Sequence, residues 1–565
     1  MSGFKARVKH FFFPEAGAPL WMKILPYAAL GFATLFLFVT GGAAWEYTNS
    51  PPFCGKTCHT MPPEYTAYLT SPHARINCTE CHIGRGYLAT QFTRKAGDLK
   101  HVTKTLFHDY EFPIMADDMR PARESCEKCH NPEKFSDDKL HEIKAYSTDK
   151  FNSEVSTYLV MHTGGGSKRQ GLGKGIHWHV ENPIYYYATD KSEQVIPYIR
   201  VANPDGTVDE YVDVESGLTA ATVDQTKLKE MDCINCHNRI THLVPQPEQS
   251  VDTALGNGVI DPKIPEIRRQ AVELLRSPYT STTEAVERIG SLESFYKVYY
   301  PDYYAANQET IQSAIQTIQN IYTSSVYPEQ KSDWNTHPNN VGHKYTAGCF
   351  RCHDGKHVNA KGEAIRLECN LCHSIPEVAT TGSFVADIEI SRGPEPDSHK
   401  NPNWIAMHRE VFDGTCINCH TTGDPGGTSN TSFCSNSACH GNVWTYAGFD
   451  APRLRSILQE QMPTPAPTPE IPAGAPLTYN DVIGPLLKAR CGMCHGGADP
   501  VNGLDLTSYE NALKGGTSGA VILPNDPAGS LLIQKQSGSQ AHFGQLNPDE
   551  LDLVKKWIEN GAPEK

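Results

Sequence analysis

CFRCHDGKHVNAKGEAIRLECNLCH, residues 349–373, holds two cysteine pairs of one form: two thiols separated by two residues, with a histidine directly after the second. The first pair is Cys349/Cys352/His353 and the second Cys369/Cys372/His373. Outward from this stretch the form recurs at Cys78/Cys81/His82, Cys126/Cys129/His130, Cys233/Cys236/His237, Cys416/Cys419/His420 and Cys491/Cys494/His495. Two further pairs are stretched: Cys54 and Cys58 have three residues between them before His59, and Cys434 and Cys439 have four before His440. These nine pairs use all 18 cysteines of the chain. Two thiols at this spacing add to the two vinyl groups of a haem as thioethers, and the adjacent histidine then lies under the iron. A single pair of this form could be half a zinc site. Nine pairs, each second cysteine followed by histidine, are not explained that way, and disulfides have no use for those histidines. The cofactor expected is haem c, nine copies, covalently attached.

The rest of the composition narrows the class. A length of 565 residues allows three or four domains. The formal charge of −14 argues against nucleic acid as a partner. One run, ILPYAALGFATLFLFVTGGAAW (24–45), carries no charge and is long enough to cross a hydrocarbon core of roughly 30 Å. Lys5, Arg7, Lys9 and Lys23 precede it, which keeps the N-terminus in the cytoplasm, and Trp21 and Trp45 stand where interfacial aromatics belong. A cleaved signal peptide ending near GGAA is the competing reading. Either way, everything after Glu46 is exported. The expected location is the cytoplasmic (inner) membrane, single-pass, with the haem domains on the periplasmic or outer face.

The organisation expected is a cytoplasmic tail (1–23), a transmembrane anchor (24–45), a tetrahaem domain (46–245), a helical spacer (246–330), a tetrahaem extension (331–461), a Pro-rich linker (462–476, MPTPAPTPEIPAGAP) and a monohaem domain (477–565). Within 46–245, NPIYYYATDKSEQVIPYIRVANPDGTVDEYV is rich in Tyr, Val and Ile around an Asp205-Gly206 turn, which predicts a small β insertion. IRRQAVELLRS and ETIQSAIQTIQNIY show helical spacing of apolar residues. TYNDVIGPLLKARCGMCH and NPDELDLVKKWIENGAP predict a helix on each side of the last haem loop. The fold class is thus a multihaem cytochrome c, mostly α and irregular, with one N-terminal transmembrane helix and a small all-α C-terminal domain. Porphyrin replaces much of the apolar interior, which weakens local patterning elsewhere.

The strings CGKTCHTM, SPHARINCTECH and DCINCHNRITH, together with the anchor and four early haem motifs, resemble the NapC/NirT/NrfH family of membrane-anchored quinol dehydrogenases. GCFRCHDGKH and SFCSNSACHG resemble extensions in larger cytochromes of this kind, and the last domain is similar to monohaem cytochrome c domains. The resemblance implies electrons taken from membrane quinol and passed to periplasmic or outer-surface redox proteins in anaerobic respiration. It also implies Met61 as a candidate ligand of the first haem, with Glu64, Lys95 and Asp98 as candidate proton acceptors for quinol oxidation. Packing for the Met and solvation for the charges are the plain alternatives. The family's first motif usually has two residues between its cysteines, whereas this one has three.

Nine of the 24 histidines follow a haem motif, which leaves fifteen as possible sixth ligands. A second imidazole suits a haem to electron transfer, and an empty position suits it to catalysis. His73, His101, His108, His162, His177, His179, His242, His343, His357 and His408 lie in the haem-bearing sections. His542 is the only histidine after His495, in a loop before the final helix, and is expected to ligate the last haem. The alternative to an electron-transfer chain is a multihaem terminal reductase of nitrite, hydroxylamine or a sulfur oxyanion.

Overall fold

The computed structural model describes the chain outside residues 1, 16, 59, 85, 98, 117–118, 132–137, 165–174, 204, 369–370, 375, 381–396, 409–415, 417–419, 421–423, 425, 429–431, 436, 441–442, 462–474, 493–494, 497–499 and 538–545. The Pro-rich linker expected at 462–476 lies almost wholly outside the described residues.

The chain divides into two compact units. The first comprises Met1–Pro132, Lys144–Glu154 and Asp232–Asn340, and the second Glu133–Ile143, Val155–Met231 and Val341–Lys565. This departs from the domain scheme expected from sequence. The β insertion belongs to the second unit, not to the tetrahaem segment in which it is embedded, and the helical spacer belongs to the first.

The first unit begins with the helix Leu20–Asn49, longer than the uncharged run 24–45. Its apolar side chains face outward all round, with Phe32, Phe36, Leu37 and Phe38 all exposed, the pattern of a helix solvated by lipid. The expected helices of the spacer appear as Ile267–Arg276 and Gln308–Ser325. They pack with Pro247–Gly256, Thr282–Gly290 and Leu292–Tyr299 around Val251, Leu255, Ile267, Leu275, Ile289 and Ile318. In Gln308–Ser325 the buried Ile311, Ile315, Ile318 and Tyr322 recur every three or four residues and make one stripe. Each such side chain contributes about 1.5–3 kcal/mol on burial, so this bundle has a core that needs no porphyrin.

The second unit contains the expected β insertion. Strands β3 (Ile184–Tyr187), β4 (Tyr198–Ala202) and β5 (Val208–Asp213) are antiparallel, with Ile199 opposite Tyr186 and Tyr211. Gly206 closes the β4–β5 turn at φ +85°, a conformation natural to glycine. The sheet order is β6-β3-β4-β5-β7, with β6 Lys229–Glu230 and β7 His357–Val358. A second sheet, unforeseen in the sequence, joins β1 (Lys139–Tyr146), β2 (Glu154–Met161) and β8 (Glu377–Thr380).

Residues 477–565 form their own core around Ile483, Leu487, Val554, Trp557 and Ile558. The two helices expected there are present. Tyr479–Ile483 runs on into Gly484–Cys491, and Pro548–Glu559 starts from a reciprocal cap between Asn547 and Glu550.

Candidate haem sites and their second imidazoles

Several attachment pairs sit on single helical turns. Cys78, Cys81 and His82 share the short helix Cys78–His82, and Cys233 and Cys236 bound another. Residues three and four apart lie on one helix face, so both thiols and the histidine point the same way. In the stretched first pair Cys54 lies in the helix Pro51–Thr57 and Cys58 follows as its C-cap, with an extended backbone. Gly55 between them is packed against the Tyr65 ring so closely that a Cβ would overlap it. His59, Cys369, Cys419, Cys494, His542 and Asp98 lie outside the described residues.

Cys129 and Cys352 are set differently from the cysteines above. Neither lies within a helical turn. Each is the C-cap of a short 3₁₀ turn, Cys126–Lys128 or Gly348–Arg351, with φ at −117° for Cys129 and −130° for Cys352. Cys129 is exposed, whereas Cys126 is half-buried. Cys352 packs against the β-insertion core of Ile184, Tyr186, Ile196 and Ile199. The backbone still closes both turns: the His130 amide donates to the Cys126 carbonyl and the His353 amide to the Cys349 carbonyl, each at 2.9 Å. The spacing to the histidine is thus kept in both pairs.

Successive attachment sites of the first unit are neighbours. A hydrogen bond to Cys54 pushes the Cys78 thiol up. Burial and then the nearby Cys126 raise Cys81. Burial, Asp232 and Cys126 together raise Cys233 to about 12. In the second unit, burial and Cys349 raise Cys372 to about 12.

Six of the histidines that follow a cysteine pair face a second imidazole. Ring centroids are 6.2 Å apart for His82 and His242, 6.1 Å for His130 and His73, and 5.8 Å for His353 and His179. They are 6.2 Å apart for His373 and His343, 6.2 Å for His420 and His399, and 6.4 Å for His440 and His408. Two metal–imidazole bonds of about 2 Å and two ring half-widths of about 1.1 Å put the centroids about 6 Å apart when one iron is shared. The pairs therefore fit a haem iron between two nitrogen donors, and the stretched pair ending at His440 fits as well as the regular ones.

The outer nitrogens fit too. Nδ1 donates to a backbone carbonyl in His179 (Ile176, 2.7 Å), His353 (Arg366, 2.6 Å), His373 (Ser374, 2.6 Å) and His408 (Ile405, 2.7 Å). Nδ1 of His242 is held by the Glu64 carbonyl at 2.9 Å and its carboxylate at 3.1 Å. Such bonds fix the tautomer and leave Nε2 for the metal. Burial lowers His179, His242 and His343 and takes His353 to about 4, so these rings are neutral, the form that binds iron.

Other candidates fall elsewhere. His357 is a correction: it is buried, with Nδ1 on Asp354 at 2.8 Å and Nε2 on the Ile196 carbonyl at 2.6 Å, so neither nitrogen is available to a haem. His162 is bonded to Asp138 at 2.8 Å, and His101 and His108 are exposed. His177 stands at the start of the helix Trp178–Glu181, two residues before His179. His399, in the helix Asp397–Lys400, was missed. Counting would have found it: the motifs ending at His420 and His440 each need a partner, and His399 and His408 are the two histidines between Cys372/His373 and Cys416.

Of the expected proton acceptors, Glu64 and Lys95 are described, and they have different partners. Glu64 is buried against Arg239 (3.3 Å), with His242 and His337 beside it. Lys95 is bonded to Thr48 (2.7 Å) and Asn49 (2.6 Å) at the end of the anchor helix, above the Trp45 ring. Met61 caps the helix Pro62–Thr70 and is half-buried.

This constellation defines a membrane-anchored multihaem cytochrome with covalently bound haem c. The N-terminal region model of the NapC/NirT cytochrome c family matches residues 20–150, and a planctomycete cytochrome c model matches residues 491–540. The chain is 38% identical over 369 residues to the cytochrome c-type protein ImcH of Geobacter sulfurreducens, covering 63% of this chain and 72% of that protein. It is 36% identical over 101 residues to the cytochrome c-type protein NrfH of Wolinella succinogenes, covering 17% of this chain and 57% of that protein. No solved structure matches. The chain belongs to the NapC/NirT family of c-type cytochromes.

Proposed function

We propose that this cytochrome takes electrons from membrane quinol and relays them to periplasmic or extracellular redox proteins through nine haems c. The observation that carries this reading is the set of six facing imidazole pairs. Haem held by two imidazoles exchanges electrons at low potential and offers no open position to a substrate. The chain's own part is to clamp each site in a fixed tautomer and to set successive sites side by side. Cys129 and Cys352 count among the attachment cysteines in this reading, because the histidines after them, His130 and His353, both face a second imidazole. Cys54, Cys58, Cys78 and Cys81 support entry of electrons at the anchor end, because the helix carrying Cys54 follows the anchor helix directly. Lys95, bonded to Thr48 and Asn49, is a proton-handling candidate at that end, whereas the salt bridge of Glu64 suits it to a structural charge. A terminal reductase needs an open iron, which the six pairs disfavour at those sites. Export of everything after Glu46 follows from the basic residues before the anchor.

The test is reduction of the full-length protein in liposomes by a menaquinol analogue, followed at the haem α-band. Rapid partial or full reduction is the expected result. A protein reduced fully by dithionite but untouched by quinol would overturn the reading. Intact mass tests the count: nine covalent haems of about 0.6 kDa each are expected, and seven would mean that the stretched pairs carry none.

A further inference from the structure

The helices Leu88–Gly97 and Leu99–Phe107 leave exposed several apolar side chains that a helix on a water-soluble surface would bury. A helix on a globular protein buries its apolar stripe and shows its charges to water. In Leu88–Gly97 the inward group is a cation: Arg94 donates to the Ile83 carbonyl at 3.0 Å and pairs with Glu124 at 2.9 Å. The outward group is Phe92, 62% exposed. In Leu99–Phe107, Val102 and Leu106 share one face one turn apart, with Phe107 beside them. All three are more than 60% exposed, and Tyr87 just ahead of the pair is 88% exposed. Lys100 and Lys104, one turn apart, are exposed on the other side of this helix, each two positions from a residue of the apolar stripe.

What covers this face follows from its attachment. Phe92 stacks on Trp45 at 5.6 Å with the rings 5° from parallel, and Lys95 bonds Thr48 and Asn49. Trp45, Thr48 and Asn49 form the last turn of the helix Leu20–Asn49, where that helix leaves the bilayer. The exposed face is therefore continuous with the lipid-facing surface of the span. We propose that residues 87–107 lie in the plane of the membrane, with Tyr87, Phe92, Val102, Leu106 and Phe107 at the boundary of headgroups and acyl chains. Lys100 and Lys104, on the other side of the helix, face water there. This rests on the reading of Leu20–Asn49 as a membrane span. Its consequence is a second hold on the membrane, which fixes the orientation of the first haem sites to the bilayer where a single span would let them swivel.

The experiment uses the full-length holoprotein in vesicles of phosphatidylethanolamine and phosphatidylglycerol containing a diazirine-bearing phospholipid. After irradiation, labelled peptides are mapped by mass spectrometry. Label at Phe92 and across 102–107, alongside the anchor peptide, is the expected result. Val102→Asp/Leu106→Asp/Phe107→Asp should lower label in 99–107 by about fivefold, with anchor label and haem content unchanged. Because the wild-type pattern stands on its own, a misfolded variant does not shield the proposal. A labelled anchor with a clean 87–107 segment overturns it, as does burial of that segment against a second copy of the chain. An unlabelled anchor refutes the span separately.

Discussion

Replacing Glu64 by Gln should raise the reduction potential of the haem assigned to His82 and His242 by roughly 50–100 mV. Glu64 is 9% exposed, and its carboxylate sits 3.1 Å from Nδ1 of His242, whose ring faces His82. The carboxylate therefore lies roughly 7 Å from the midpoint of the two rings, and at an effective dielectric constant of about 20 one charge there is worth about 2.4 kcal/mol. Losing a negative charge destabilises ferric iron more than ferrous, so the potential rises. At about 59 mV per tenfold change for one electron, 2.4 kcal/mol is about 100 mV, and water entering the site trims it towards half. Arg239 stays charged in both proteins and does not cancel the difference. The assay is spectropotentiometric titration of the full-length protein, in which one component of the summed curve should move upward. Glu64→Asp should restore most of the original value. If every component of the Gln variant stays within about 20 mV of the wild type with haem content intact, Glu64 does not govern that site.

Other expectations follow from single contacts. The ring planes cross at 86° for His179 and His353 but lie 21° apart for His343 and His373. The oxidised protein should thus show both highly anisotropic and ordinary rhombic low-spin EPR signals, and His343→Ala should remove a rhombic one. His399→Ala should convert one haem to a high-spin form that binds CO, with the other sites unchanged. Arg490 pairs with Glu550 at 2.7 Å where Glu550 is almost fully buried. Glu550→Ala should therefore lower the stability of the C-terminal domain by about 3–5 kcal/mol, read as an earlier calorimetric transition. His542→Ala should open the last haem to CO; a wild-type haem there that already binds CO would refute His542 as its ligand.

Much of this was legible in the sequence because thioether chemistry fixes its own spacing. The cysteine pairs, the anchor, the β4–β5 hairpin and the helices at 267–276 and 308–325 all follow from local rules of charge, turn chemistry or periodicity. The spacing does not fix how each thiol is packed: Cys129 is exposed where its partner Cys126 is half-buried. His73, His179, His242, His343 and His408 were all among the sequence candidates, but which motif each one faces was not legible, because tertiary folding brings the partners together. His242 reaches His82 across 160 positions of chain, and His179 reaches His353 across 174. His357 looked like a ligand because it follows a haem motif by four residues, yet its neighbours Asp354 and Ile196 claim both nitrogens. The sheet β1-β2-β8 was missed because β1 is exposed along most of its length and shows little alternation of burial.

The same contrast explains where the chain keeps ordinary cores. Haem-bearing segments need only short turns to present two thiols and a histidine, and the porphyrin supplies apolar contact that side chains would otherwise provide. Outside the last domain such segments are accordingly poor in long helices and in buried aliphatic residues. Among the described residues, the bundle at 247–326 and the haem-bearing domain at 477–565 have the largest buried aliphatic cores. The bundle has no cysteine at all, so it must fold on Ile, Leu and Tyr packing alone and can form before haem is attached. It lies in the same unit as Cys233, whose neighbours include Cys126. Destabilising it should therefore reduce haem loading in the first unit even though no bundle residue is a ligand. Ile318→Ala, at a site with no exposure, removes about 2–5 kcal/mol. A loss of one or more haems in that variant by intact mass supports a scaffold that precedes attachment, and full loading with a lowered melting point would show that haem, not the bundle, organises the unit.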